Sequence, residues 1–436
     1  MKMKLPLPKP PNNMHKQMST AELNKKLDLA SKAFRSALAR NNFEEAYQKI
    51  LPAHQILPQH PSILMDLAYT ELRLHKFDLA YDHYKKAIKY SGAKVDPNIY
   101  DGLAEVCHFL NKKDELVQYG RLALETKKNM VSNEPILKHI QTPPEAFNPH
   151  QPKENIIAFS LFGNLARYCE TSIINVDLVK EIYPEWTCRF YVNDTVTDLV
   201  KQRLREKGAE VVEVTQAQNQ LSGLFWRFFV MDDPTVKRFL IRDADSLVSY
   251  REKAAVDAWL KSDKWFHTMH DSYSHTELIL AGMWGGCYGM FENIEQLIRD
   301  FIVTGRFSNT RVIDQHFLRY AIWSTIKQSV LIHDSQSFEV DAMPFPKHEQ
   351  YTGFEDLSQF HIGMNEGSGN LKLGVKFPNQ KQVFWTLLDE NEQQVCRYIA
   401  DVTKDQQIIL DVPRSYARQI EKQNWKIQVD LFENNE

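Results

Sequence analysis

The chain has 436 residues, 43% hydrophobic and 25% charged, with a net charge of -3; that supports two or three folded domains and excludes a general nucleic-acid binder, which would be basic. Its five cysteines, Cys107, Cys169, Cys188, Cys287 and Cys396, include no C-x-x-C pair, so neither a zinc site nor a disulfide framework is expected, and a reducing compartment fits. The N-terminal MKMKLPLPKPPNNMHKQ is basic but broken by proline and followed by no apolar run, so no leader or membrane span is expected and the protein reads as cytoplasmic, able to work at the inner membrane face.

Residues 1–18, rich in proline and asparagine, read as a disordered arm. From Ser19 the chain repeats itself. NNFEEA (Asn41 to Ala46), HKFDLA (His75 to Ala80) and KKDELV (Lys112 to Val117) each precede an amphipathic stretch. Ala46, Ile50 and Ala53 return as Ala80, Tyr84 and Ala87 after 34 residues, and Leu67 and Ala68 as Leu103 and Ala104 after a slip of two at SGAKVDP, with Gly120 and Ala123 following. Residues 19–135 thus resemble a tetratricopeptide repeat (TPR) array, with Glu71 where that family has an aromatic residue. Such an array offers a concave face for a protein partner or for self-association, or it braces the neighbouring domain. His54, His60, His75 and His83 lie in it without ligand spacing.

HIQTPPEAFNPHQPKEN falls in a proline-rich linker assigned to residues 136–154. After it the periodicity changes. IIAFSLFG (Ile156 to Gly163), TCRFYVND (Thr187 to Asp194) and AEVVEV (Ala209 to Val214) read as strands, separated by a helix over 168–183 and by TVTDLVKQRLREKG, for which Gly208 is a stop. Strand alternating with helix predicts a parallel sheet covered on both faces, with ligands at the carboxyl ends of its strands. Those ends carry Ser160, Phe162, Asn193, Asp194 and the stretch Arg242 to Ser246. No G-x-G-x-x-G follows the first strand and no P-loop occurs, so dinucleotide and NTPase readings lack support.

VKRFLIRDADS (Val236 to Ser246) is an apolar run ending in two aspartates. Asp243 and Asp245 can share one cation if the chain turns there, and their hard oxygens suit Mg²⁺ or Mn²⁺; the same pair also suits a turn or a helix cap.

With its neighbours, this stretch resembles the GT-A class of nucleotide-sugar glycosyltransferases, in particular a bacterial group marked by co-linear blocks. The blocks here are SLFG (Ser160 to Gly163), FWRF (Phe225 to Phe228), RDADS (Arg242 to Ser246), AGMWGG (Ala281 to Gly286) and DQHFL (Asp314 to Leu318), spanning about residues 155–335. The resemblance implies a Mn²⁺ or Mg²⁺ ion on Asp243 and Asp245 that holds the diphosphate of a nucleotide sugar, whose developing charge it neutralises. It implies donor contacts from Ser160, Phe162, Asn193, Arg227, Arg242, Asp243, Trp284, Gly285 and Gly286, and chemistry at Asp314, Gln315 and Asp271. His333, at the end of the strand-like SVLIHDS, would complete the metal site, with His361 as the alternative. Each has a plainer reading: a salt bridge for Arg227, core packing for Trp284, a helix-dipole partner for Asp314, structural roles for the histidines. HDSY at 270–273 replaces the family's Arg-Asp and His-Pro, and HIGMNEGSG departs from it in a loop that could close over the donor.

The expected architecture is therefore an all-α TPR-like domain before an α/β GT-A domain with a Rossmann-like mixed sheet, over 155–375. A C-terminal extension over 376–436 would be helical or mixed at Val383 to Val402 and at Pro413 to Gln423, strand-like at IILDV between them, and polar at its tail. The expected function is transfer of a sugar from a nucleotide-diphosphate donor to a hydroxyl on a glycan or protein, with retention suggested by the Asp-Gln block. The alternatives are a catalytically inactive TPR scaffold with a degenerate GT-A domain, and a sugar nucleotidyltransferase, which lacks its expected Gly- and Lys-rich loop.

Overall fold

A computed structural model describes residues 20–431 apart from 306, 308–311, 356–359, 368–370 and 378–379. The N-terminal arm over 1–18 and the tail over 432–436 lie outside the described residues. The chain divides into two compact units, Met1–Ala123 and Leu124–Glu436.

The first unit is built from helical hairpins: α1 (Thr20–Ala39) with α2 (Phe43–Ile56), α3 (Pro61–Arg73) with α4 (Phe77–Tyr90), and α5 (Pro97–Phe109) with α6 (Lys113–Met130), the unit boundary falling within α6. Each hairpin turns at an equivalent residue. Asn41, His75 and Asn111 take positive φ of 55°, 59° and 56°, a region asparagine and histidine tolerate better than most side chains. Pro61 and Pro97 open α3 and α5, where a missing N–H costs nothing. Ala46, Ala80, Ala53, Ala87, Ala68 and Ala104 are buried where helices approach closely. Tyr84 lies on Gly102, where a Cβ would come within 2.2 Å of its ring.

Polar contacts repeat with the same period. Tyr81 Oη donates to Glu115 at 2.5 Å and Lys85 Nζ to Tyr119 Oη at 2.6 Å, both across 34 residues. Lys76 sits over the Tyr47 ring at 4.0 Å and Lys112 over the Tyr81 ring at 3.7 Å, a cation–π pair carried from one repeat to the next. Glu71 is buried and bonded to His83 Nδ1 at 2.7 Å, so a polar pair fills the position where the repeat pattern has an aromatic side chain.

The second unit holds a seven-stranded sheet of order β3-β2-β1-β4-β6-β5-β7. Its elements are β1 (Asn155–Leu161), α7 (Ala166–Ile182), β2 (Thr187–Val192), α8 (Asp198–Glu206), β3 (Glu210–Glu213), β4 (Arg238–Arg242), α9 (Tyr250–Leu260), β5 (Phe266–His270), β6 (Met283–Cys287), α10 (Ile294–Val303), α11 (Ile313–Phe317), α12 (Trp323–Ile326) and β7 (Val330–Asp334). β1 pairs in parallel with both β2 and β4, while β6 runs antiparallel to β4 and β5. The mixed sheet follows the expectation, and α8 ends as read, before Gly208 at φ 88°. The strand order changes direction between β1 and β4, which opens a crevice at their carboxyl ends.

Two boundaries differ from the reading of the sequence. Residues 136–154 are not a free linker: Leu137 N donates to Thr325 Oγ1 at 2.9 Å, Trp265 Nε1 donates to Thr142 O at 2.7 Å, and Phe147 stacks on Trp186. The C-terminal extension is not separate either. After β8 (Leu371–Gly374), the stretch expected to be helical or mixed forms the antiparallel pair β9 (Gln382–Leu388) and β10 (Gln394–Asp401), followed by β11 (Gln407–Leu410), α13 (Arg414–Glu421) and β12 (Lys426–Leu431). Trp385, Leu387 and Tyr398 share one hydrophobic core with Ile157, Phe159 and Phe190 of the main sheet. Glu170 of α7, fully buried, accepts bonds from Arg203 at 2.7 and 2.9 Å, Tyr398 Oη at 2.6 Å and Tyr416 Oη at 3.1 Å, so α7, α8, β10 and α13 meet on one carboxylate.

Candidate functional site

At the crevice between β1 and β4, the last turns of both strands are tied to one arginine. Gly223–Asp232 forms a 3₁₀ stretch. From it the Arg227 backbone N–H donates to Ser160 Oγ at 2.9 Å. The Arg227 guanidinium is buried, and it donates to Asp243 Oδ1, to Arg242 O at 3.1 Å and to Asp314 Oδ2 at 2.9 Å. A buried guanidinium is tolerated only when its charge is matched, and here two carboxylates match it. Arg227 thus brings the RDADS and DQHFL blocks together, reaching Asp314 across 87 residues.

The three carboxylates differ in access. The side chains of Asp243, Asp245 and Asp314 are 43%, 19% and 6% exposed. Burial, reinforced by the neighbouring Asp243 charge and opposed by Arg167, pushes the Asp245 carboxyl up to about 6. Burial also raises Asp314, against the pull of Arg227 and with the Asp243 charge adding to it. Both Asp314 oxygens are engaged, Oδ2 by Arg227 and Oδ1 by the Gln315 backbone N–H at 3.0 Å. Asp243 fits where it does because residue 282 is glycine: a Cβ there would stand 2.0 Å from Asp243 Oδ2.

On the other flank, Asp245 Oδ2 accepts from Asn365 Nδ2 at 2.7 Å, and Arg167 of α7 approaches to 3.8 Å. Asp245 O accepts from Glu366 N at 2.7 Å, and Ser246 forms an antiparallel bridge with Asn365. The HIGMNEGSG loop therefore lies on the acidic pair through Asn365 and Glu366, its last two residues being outside those described. Arg167, Gly282 and Asn365 were missed by the reading of the sequence. AGMWGG held a signal for Gly282; nothing local marked the other two.

Phe162 stays 43% exposed at the end of β1, edge-on to Trp226 with ring centroids 5.7 Å apart. Gly223 lies beneath it, since a Cβ there would meet the Phe162 ring at 2.4 Å. Asn193, at the end of β2, donates to Asn219 Oδ1 at 3.0 Å. These residues sit at the same end of the sheet as the acidic pair.

Other candidates are placed elsewhere. Arg242 turns into the core, where its Nε bonds Glu252 at 3.1 Å and its Nη1 bonds Trp284 O at 3.0 Å. Trp284 is fully buried and packs edge-on against Phe239 and Phe228, leaving no face for a sugar. Gly285 and Gly286 are glycines for contact within the sheet: a Cβ would meet Leu240 at 2.6 Å or Phe266 at 2.6 Å. Asp271 is clamped by Arg251 at 2.7 and 2.9 Å and accepts from Ile362 N at 3.0 Å, which makes it an anchor for the loop and not a free base.

His333 is buried on β7, its Nδ1 2.8 Å from His267 Nε2, and burial pushes it down to about 4. Three strand spacings of ~4.8 Å separate β7 from β4, so His333 does not stand beside the aspartates. His361 Nδ1 lies 3.0 Å from Ile362 O and its ring meets His275. Among the described residues no three His, Cys, Asp or Glu side chains gather as a metal cage. The donor set is thus two carboxylates. It fits a hard divalent ion that takes its remaining oxygens from substrate phosphates and water.

No protein-family profile matches the chain, and none of the curated proteins searched matches it. Among solved structures it is similar to a mutant of the Thermobaculum terrenum O-GlcNAc transferase, at 13% identity and a TM-score of 0.30, over 52% of this chain and 47% of that one. It is also similar to the N-terminal domain of stress-induced protein-1 from C. elegans, at 16% identity and a TM-score of 0.21 over 24% of this chain and 86% of that one. A third likeness is to the 4-diphosphocytidyl-2C-methyl-D-erythritol synthase of Anaerococcus prevotii, at 14% identity and a TM-score of 0.27 over 41% of this chain and 86% of that one. The chain spans less than half the length of the O-GlcNAc transferase chain. At such scores these likenesses carry no argument about function.

Proposed function

We propose that this chain is a metal-dependent glycosyltransferase of GT-A type that moves a sugar from a nucleotide-diphosphate donor to a hydroxyl acceptor on a glycan or protein. The observation that carries the reading is the acidic pair at the β1/β4 crevice, in which burial and the Asp243 charge raise Asp245. A divalent ion held between the two carboxylates would offset their like charge and could take its remaining oxygens from the donor diphosphate. Asp243 and Asp245 would hold Mn²⁺ or Mg²⁺, which when bound neutralises the leaving diphosphate as a Lewis acid.

The chain's own residues supply position and field. Arg227 fixes Asp243 and Asp314 relative to each other. Asp314, with both oxygens bonded, is a fixed anion suited to stabilising positive charge on the sugar ring, not a free base; Gln315 follows it on α11. Phe162, Ser160 and Asn193 line the strand ends where the nucleotide would lie. Retention rests on the Asp-Gln block alone.

The direct test is release of nucleoside diphosphate on incubation with Mn²⁺ and a panel of nucleotide sugars. Turnover with one donor, lost in Asp245→Ala, is the expected result. Absence of turnover with every donor, together with absence of metal-dependent nucleotide binding, removes the enzyme reading. A binding-only role is favoured by one observation: Asp271, the base candidate, is tied to Arg251.

A further inference from the structure

Beside the acidic pair the second unit has a cleft of about 310 Å³, room for about ten water-sized groups at ~30 Å³ each and at the small end of ligand pockets. Ile174 and Leu178 of α7, Leu247 beyond β4, and Phe354 form its apolar wall; Arg414 and Arg418 of α13 supply the charge. Glu366 also lines it, its main-chain O accepting from the Arg414 backbone N–H at 3.0 Å. Burial raises its carboxyl, and the guanidinium charges of Arg414 and Arg418 oppose that. Arg414 is partly engaged, its Nη2 donating to Asn365 O at 3.0 Å. Arg418 is exposed, and its guanidinium charge acts on the Glu366 carboxyl. The cleft is thus apolar along one side and carries two guanidinium groups and one buried carboxyl along the other.

Its place in the chain ties it to the site. Leu247 stands two residues beyond Asp245, and Glu366 follows Asn365, the residue whose amide bonds Asp245. The cleft lining thus adjoins, along the chain, residues that hold the acidic pair.

We propose that this cleft binds an amphiphilic anion, an alkyl phosphate whose chain lies on Ile174, Leu178, Leu247 and Phe354 and whose phosphate is held by Arg418 with Arg414. The match is of shape and charge: burying apolar surface supplies affinity, and the guanidinium fork suits phosphate oxygens. Resting on the glycosyltransferase reading, the cleft is the acceptor side of the site, and the acceptor is an amphiphile bearing phosphate.

Calorimetric titration of the full chain tests this with three probes, octyl phosphate, octanol and inorganic phosphate, below the micellar concentration and without nucleotide. Octyl phosphate is expected to bind at least ten-fold more tightly than either partial probe. Arg418→Glu should weaken it about ten-fold and leave octanol unchanged, while Leu178→Asn should weaken octyl phosphate and octanol alike. Equal binding to wild type and both variants, or none to octyl phosphate, overturns the proposal. Sodium octanoate as a fourth probe separates phosphate from carboxylate, and preference for octanoate also overturns it. Octyl phosphate binding that persists in a chain with no metal-dependent nucleotide binding refutes the enzyme reading and spares the cleft; the reverse pattern refutes the cleft alone.

Discussion

Asp245 combines binding capacity with a stability cost. Its carboxyl sits near 6 in the folded chain against an ordinary value of 3.8. The folded state therefore keeps a proton that the unfolded chain has released, and the contribution to stability, full below about 3.8, is lost as pH rises through 6. Asp245→Asn removes the ionisable group and keeps an oxygen for Asn365. At pH 8 the variant should melt about 2–5 °C higher than wild type, the gain should vanish near pH 3.5, and Mn²⁺-dependent thermal shift should disappear. A variant less stable than wild type at pH 8 would show that the Arg167 and Asn365 contacts outweigh the desolvation. Gly282 gives a second residue-scale prediction. In Gly282→Ala the new methyl collides with Asp243 Oδ2, so Mn²⁺ affinity by titration calorimetry should fall at least ten-fold while the far-ultraviolet circular dichroism stays unchanged. Retained affinity would mean that Asp243 has a second rotamer equally fit to hold the ion.

Among the elements, the C-terminal strands and helix are integral to the α/β fold. Glu170 receives Arg203, Tyr398 and Tyr416 with no exposure to water. Removing one partner of a buried charged network leaves the others uncompensated, at a cost of about 3–5 kcal/mol. Glu170→Ala should therefore lower the urea midpoint by that equivalent, while Glu206→Ala on the exposed side of α8 should not. A loss under about 1 kcal/mol would mean that water replaces the carboxylate. The element types were largely legible in the sequence, because α7, α8 and the main strands follow clear periods. The pair β9 and β10 was not: Val383 to Val402 mixes polar and apolar residues, and its strand character comes from pairing with β12 and burial of Trp385 against the main core.

For the molecule as a whole, the two units differ in how far local sequence explains them. In the helical unit the hairpin turns at Asn41, His75 and Asn111 and the Lys-over-Tyr pairs recur from repeat to repeat, so one repeat foretells much of the next. Residues 19–135 expressed alone should give a helical circular dichroism spectrum and one cooperative melt; a spectrum of unfolded chain would show that the array needs the rest of the protein. The sequence by itself determined the repeat period, the strand and helix alternation, and the arrival of Asp243 and Asp245 at the carboxyl end of an apolar strand, because these follow from side-chain spacing along one element. Arg227 and Asp314 were legible as candidates, but not as a bonded pair. Only the tertiary structure decided that Arg242, Trp284, Gly285 and Gly286 serve the core, that His333 lies three strands from the aspartates, and that Arg167, Gly282 and Asn365 complete their surroundings. The reason is physical: spacing tells which residues share a face, but sheet order and the facing partner come from crossovers and burial between segments far apart in the chain.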